Sequence, residues 1–192
     1  MNKNFTRFAF TDSVRAVQEE YGSRKAYAKA ETNGDRYRLT SREIQFIENS
    51  DGFYLSTVGE NGWPYIQFRG GPKGFLKVLD NETLAMADFS GNRQYISTGN
   101  IKSMGKAMLF FMDYAKQSRL KVWTEAEVID VDANPELLET VSLFGYKARI
   151  ERIIRYRIQA YDWNCQQHIT PRYTIPEIKQ MITNESNSQF IN

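Results

Sequence analysis

Between Phe53 and Val131 the chain repeats one pattern: a short run that alternates bulky and small residues, a polar turn, and another run. The runs are FYLSTVG (53–59), WPYIQFR (63–69), FLKVLD (75–80), TLAMADF (83–89), AMLFFMDY (107–114) and RLKVWTEAEVIDV (119–131), and Gly59-Glu60-Asn61-Gly62 and Asp80-Asn81-Glu82 supply turn residues. Alternation marks a strand with one buried face, and strands in close succession joined by short turns point to an antiparallel barrel or sandwich rather than to βαβ units. A closing strand follows at RIIRYRIQAYDW, 152–163. There Ile153, Arg155, Arg157 and Gln159 fall on one side and Ile154, Tyr156, Ile158 and Ala160 on the other.

Helical spacing appears only around this block. Val14, Val17 and Tyr21 share a face in 12–30, behind Asp12 or Ser13 as N-cap and with an interruption at Gly22. TSREIQFIENS, 40–50, begins with a capping pattern and ends at Asp51-Gly52. Pro135 opens a helix that Gly145 ends, and another begins at Ile175-Pro176-Glu177. The fold class expected is mainly β with flanking helices, in three parts: an N-terminal helical arm packed on the barrel (1–50), the barrel (51–170), and a C-terminal helix and tail (171–192).

Charge narrows the function. Lys+Arg 25 against Asp+Glu 23 gives a net charge of +2, too balanced for a general nucleic-acid binder. No apolar stretch reaches the roughly 18 to 20 residues of a membrane span. The N-terminal residues lack the apolar core of a signal peptide, and the single cysteine, Cys165, cannot form an internal disulfide, so a cytoplasmic location is expected.

Three segments concentrate polar and basic groups. FSGNRQYISTGN, 89–100, follows a strand, and seventeen residues separate that strand from the next. This length accommodates a loop and a short helix starting near Asn92-Arg93, whose free N–H groups would face the same place as Arg93 and Gln94. A helix-capping polar loop explains the same residues equally well. QFRGGPKGFLK, 67–77, sets Arg69, Gly70, Gly71 and two lysines between two strands. It reads as close backbone approach to a ligand or as a bulge with solvated charges. In SRLKVW, Arg119 and Lys121 share one strand face and read as ligand contacts or as surface charge. His168, the only histidine, reads as a structural residue at a bend before Pro171.

Taken in order, FYLSTVGENGWPYIQFRGGPKGFLKVLD, ADFSGNRQYISTGNI, RLKVW and DWNCQQHITPR resemble the FMN-binding split-barrel proteins related to pyridoxamine 5'-phosphate oxidase. More closely, they resemble a bacterial branch with R-G-G-P, G-N-R-Q-Y and D-W-N-C-x-Q-H-I segments. The resemblance implies a split β-barrel that binds FMN at a homodimer interface and acts as an oxidoreductase on a small-molecule substrate, with an electron donor such as NAD(P)H. It implies a cofactor site at Gln67, Arg69, Gly70, Gly71, Lys77, Ala87, Asp88, Phe89, Asn92, Arg93, Gln94, Arg119, Lys121, Trp163 and Arg172.

Within that resemblance, Asn92, Arg93 and Gln94 match the phosphate-binding Ser-Arg-Lys segment of the oxidases. Gln94 stands where they have lysine, and Lys77 is expected to supply the missing charge. Arg119 or Lys121 falls where they present a glutamine to the flavin ring, and Trp163 and Arg172 match their C-terminal flavin contacts. The C-terminal end lacks their Arg-x-His substrate segment, which argues against oxidation of pyridoxamine phosphate. Relatives that use F420 or haem, and a non-catalytic flavin carrier or sensor, are the alternative readings.

Overall fold

In the computed structural model, which describes residues 3–32, 34–164 and 166–188 with side chains through 183, seven strands form one antiparallel sheet. They are β1 (Gly52–Val58), β2 (Pro64–Gly70), β3 (Leu76–Asp80), β4 (Thr83–Phe89), β5 (Lys106–Asp113), β6 (Ser118–Ile129) and β7 (Ile150–Asn164), in the order β2-β1-β5-β6-β7-β4-β3. The sheet curls on itself. Its inner face is lined by Leu55, Leu84, Leu109, Val122 and Ile154, all fully buried. Phe53 of β1 stacks on Phe75 beside β3 at 5.9 Å and meets Phe111 at 5.2 Å, so aromatic rings bridge the two halves of the sheet.

Helices close the rest. The arm consists of α1 (Thr6–Ala9), α2 (Asp12–Glu20), α3 (Arg24–Thr32) and α4 (Ser41–Glu48). Gly22, at φ +72°, separates α2 from α3, as its interruption of the apolar spacing suggests, while Thr11 rather than Asp12 or Ser13 caps α2. The Thr40–Glu43 capping box starts α4. The one-turn helix α1 carries no periodic signal because it is too short to show one; Phe5 at its start stacks on Trp123 of β6. Between β4 and β5 lies α5 (Ile96–Met104), and α6 (Pro135–Val141) and α7 (Ile175–Ser188) follow. No helix among the described residues is long and apolar enough to cross a membrane. Cys165 lies outside the described residues.

The outer face of β4 and β7 is covered by α6, where Ala85, Ala87 and Ile153 pack on Leu137 and Val141. Ile153 is fully buried here, so Ile153→Val should cost about 0.5–1.5 kcal/mol, read as a lower denaturant midpoint at unchanged slope.

Candidate functional site

Three strands carry polar side chains at the phase that elsewhere fills the barrel. On β2, Gln67 and Arg69 share the face of Phe53, which registers with Arg69. On β4, Asp88 continues the phase of Leu84 and Met86, and on β7 Arg152 continues that of Ile154 and Tyr156. These ends of the strands meet at one mouth of the barrel. There they line a cavity of about 180 Å³ with Phe89, Asn92, Arg93, Gln94, Tyr95, Ser97, Thr98 and Glu151.

The loop above the cavity is shaped by its own side chains. The Gln94 N–H donates to Asn92 Oδ1 at 3.2 Å, and Arg93 and Tyr95 both adopt left-handed backbone angles, φ 62° and 54°. This turn delays the helix: α5 begins at Ile96, not near Asn92-Arg93 as the sequence suggests. Its N-cap residue, Tyr95, makes no side-chain hydrogen bond to the first turn, and the first-turn residues Ile96, Ser97 and Thr98 line the cavity.

Electrostatics in the cavity centre on Asp88, which is 3% exposed. Arg69 Nη1 donates to Asp88 Oδ1 at 2.6 Å, and Arg152 Nη1 donates to Asp88 Oδ2 at 2.9 Å. One carboxylate thus holds two guanidinium groups at the mouth, and Arg93 lines the same cavity. Arg69 Nε is buried with no acceptor among the described residues. Ser97 donates to Gln67 Oε1 at 3.1 Å, tying α5 to β2. Three arginines, two hydroxyls and an open helix N-terminus around a small polar cavity can hold a phosphate group.

A family model described as pyridoxamine 5'-phosphate oxidase matches residues 39–160, well over half of the chain. The chain belongs to the pyridoxamine 5'-phosphate oxidase family. Among solved structures, a candidate pyridoxamine 5'-phosphate oxidase from Lactobacillus delbrueckii is 25% identical, with 66% of this chain and 94% of that one covered and a TM-score of 0.50. HupZ of Group A Streptococcus, at 17% identity and a TM-score of 0.51, shares the fold over 70% of this chain and all of its own. No curated protein matches the chain.

The structure brings some of the residues that the resemblance implies together at this cavity and places others elsewhere. Gln67, Arg69, Asp88, Phe89, Asn92, Arg93 and Gln94 line it together. Both oxygens of Asp88 are hydrogen-bonded to arginines, so its part in the cavity is to hold Arg69 and Arg152 in place. Ala87 is buried on the opposite face of β4, against α6.

Lys77 is on that opposite face too, because it registers with Ala85, and it does not line the cavity. The cations beside Arg93 are therefore Arg69 and Arg152. Gly70 and Gly71 sit just beyond the cavity. A Cβ on Gly71 would lie 2.7 Å from the Phe75 side chain, so ring packing requires glycine there.

The remaining family positions lie elsewhere. Lys121 pairs with Asp162 at 2.9 Å on the outer sheet face, with its ammonium 5.5 Å from the Phe5 ring and 5.4 Å from that of Trp123. Arg119 shares this face, in register with Met112. Arg172 lies over the Tyr114 ring at 5.0 Å. Trp163 registers with Leu120 and so takes the inner face, under α4.

There Trp163 Nε1 donates to Glu43 Oε1 at 2.6 Å, and Arg42 lies over the indole at 4.2 Å. Burial pushes the Glu43 carboxyl upward, but hydrogen bonds from Thr40 and Trp163 outweigh it and hold it below the usual carboxylate range. Trp163→Phe should cost about 1–3 kcal/mol of stability by leaving this carboxylate short of a donor, measurable by urea denaturation.

Arg152 and Glu151 lie in no motif, and Tyr95, the last residue of G-N-R-Q-Y, is not among the site positions that the resemblance implies. The one signal for Arg152 is its phase: an arginine at the buried-face position that ends an otherwise apolar alternation.

Proposed function

We propose that the chain binds FMN with the terminal phosphate in the arginine cavity, and acts as an FMN-dependent oxidoreductase whose site is completed across a homodimer. The observation that carries this reading is the convergence of Arg69, Arg93 and the α5 N-terminus on one small cavity in a member of a flavin-binding family. Arg69, with a buried Nε lacking an acceptor, fits an anionic ligand. Arg93 and the Asn92–Gln94 turn would hold the phosphate from the loop side, and Ser97 and Thr98 from the helix. Bound FMN would supply hydride or electron transfer, and the protein's part is binding, orientation and electrostatics.

Dimerisation is supported by the outer sheet face. Edge strand β2 exposes Ile66 (63%) and Phe68 (59%), and Trp63 before it is 75% exposed. Phe68, Tyr54, Phe110 and Lys121 register in one row across β2, β1, β5 and β6, so this apolar face leads directly to Lys121. An apolar edge of this kind left in water invites pairing. A second copy covering it gives Arg119 and Lys121 their route to a ligand, from one protomer to the site of its partner.

Anaerobic titration of the flavin-loaded protein with NADH and NADPH tests the oxidoreductase reading. Bleaching of the flavin absorbance by either donor is expected; a flavin that stays oxidised with both favours the carrier or sensor reading. Light scattering should give the mass of a dimer, and a monomer that retains full FMN affinity would contradict the shared site.

A further inference from the structure

Arg152 is the most firmly anchored cation of the cavity, and Glu151 beside it is the anomaly. In a regular strand neighbouring side chains point to opposite faces, so Glu151 and Arg152 should not meet. The β4–β7 ladder shifts here: Asp88 registers with Arg152 but Phe89 with Ile150, which leaves Glu151 as the extra residue of a β-bulge. The bulge turns the Glu151 carboxylate onto Arg152 Nη2 at 2.5 Å and brings its other oxygen within 3.4 Å of the Tyr95 hydroxyl. That hydroxyl accepts from Arg93 Nε at 3.2 Å, and the Tyr95 ring lies 4.7 Å from the Arg152 guanidinium.

Glu151 is therefore tied to the strand cation directly and to the loop cation through Tyr95. Partial burial pushes its carboxyl upward, but the Ser90 hydrogen bond, the charge of Arg152 and the hydrogen bonds from Tyr95 and Arg152 hold it below the usual carboxylate range. It is a carboxylate at neutral pH.

The other side of Arg152 is fixed independently. Its Nη1 donates to Asp88 Oδ2 at 2.9 Å and to Thr98 Oγ1 at 3.2 Å, so the guanidinium stays in place whether or not Glu151 holds Nη2.

We infer that Arg152 is a phosphate-binding residue of this site and that Glu151 is its built-in competitor, a carboxylate that occupies Nη2 until a phosphate monoester displaces it. This rests on the reading of the cavity as the FMN phosphate site. Exchange of one anion for another keeps Nη2 of this largely buried guanidinium paired at every stage. The dianionic phosphate wins over the singly charged carboxylate because Arg69, Arg93 and the α5 N-terminus act on it too.

FMN and riboflavin differ only by the phosphate, so titrating both into the flavin-free full-length protein, followed by flavin fluorescence, isolates this contact. The wild type should prefer FMN. Arg152→Gln should weaken FMN binding about 10-fold or more, as expected for a lost charged hydrogen bond, with riboflavin binding unchanged. Glu151→Gln should strengthen FMN binding several-fold and leave riboflavin unchanged. It preserves the Asp88–Arg152 pair and so carries the test if Arg152→Gln does not fold.

Equal weakening of both flavins in Arg152→Gln, full retention of the FMN preference, or weaker FMN binding in Glu151→Gln would overturn the inference alone. A wild type that binds both flavins equally would overturn the phosphate reading itself.

Discussion

Asp88→Ala is expected to destabilise the protein by about 3–5 kcal/mol, the size of loss seen when one partner of a buried ion pair is removed. Asp88 is 3% exposed, and its two oxygens are hydrogen-bonded to Arg69 at 2.6 Å and to Arg152 at 2.9 Å. Without the carboxylate two guanidinium groups, 14% and 15% exposed, remain at the barrel mouth with no charge between them.

Asp88→Asn keeps an accepting oxygen but not the charge, and should fall between the wild type and the alanine variant. Urea denaturation measures all three without adding salt that would screen the arginines. Inorganic phosphate binding to the folded state should restore more stability to Asp88→Ala than to the wild type, because the variant lacks the internal anion. A loss below about 1 kcal/mol would mean that the two arginines find other partners.

Arg93→Ala is expected to weaken FMN binding about 10- to 100-fold, from the loss of a hydrogen bond between charged groups worth about 1.5–3 kcal/mol. Arg93 is exposed on the loop and, among the described residues, its Nε donates to the Tyr95 hydroxyl, so its removal should leave the fold intact. Two companion variants sharpen the result. Gln94→Lys restores the lysine of the related oxidases and should tighten FMN binding, while Lys77→Ala should leave it unchanged, since Lys77 shares the face of Ala85 against α6. FMN affinity lost in Lys77→Ala and kept in Arg93→Ala would place the phosphate on the wrong side of β4.

The strands were legible because their pattern has period two and their turns are short, so the block from Phe53 to Val131 admits few alternatives. The candidate site was legible only in part. Gln67, Arg69, Asn92, Arg93 and Gln94 lie in local motifs that fold into one cavity. What sequence spacing could not give is face.

Lys77 and Asp88 are both near the Asn92–Gln94 loop in a linear reading, yet cross-strand register sends them to opposite sides of the sheet. Lys121 and Trp163 are separated in the same way, since the first registers with Asp162 and the second with Leu120. The start of α5 was misplaced because two non-glycine residues take left-handed angles there, a conformation that residue type does not announce. Glu151 meets Arg152 only through a bulge, which depends on the partner strand and leaves no trace in the sequence of β7.

The absorbance spectrum of the purified protein tests the central claim most directly. The account predicts a yellow protein with flavin bands, whose heat-released chromophore is FMN at close to one per chain. A colourless protein that does not take up added FMN would contradict it.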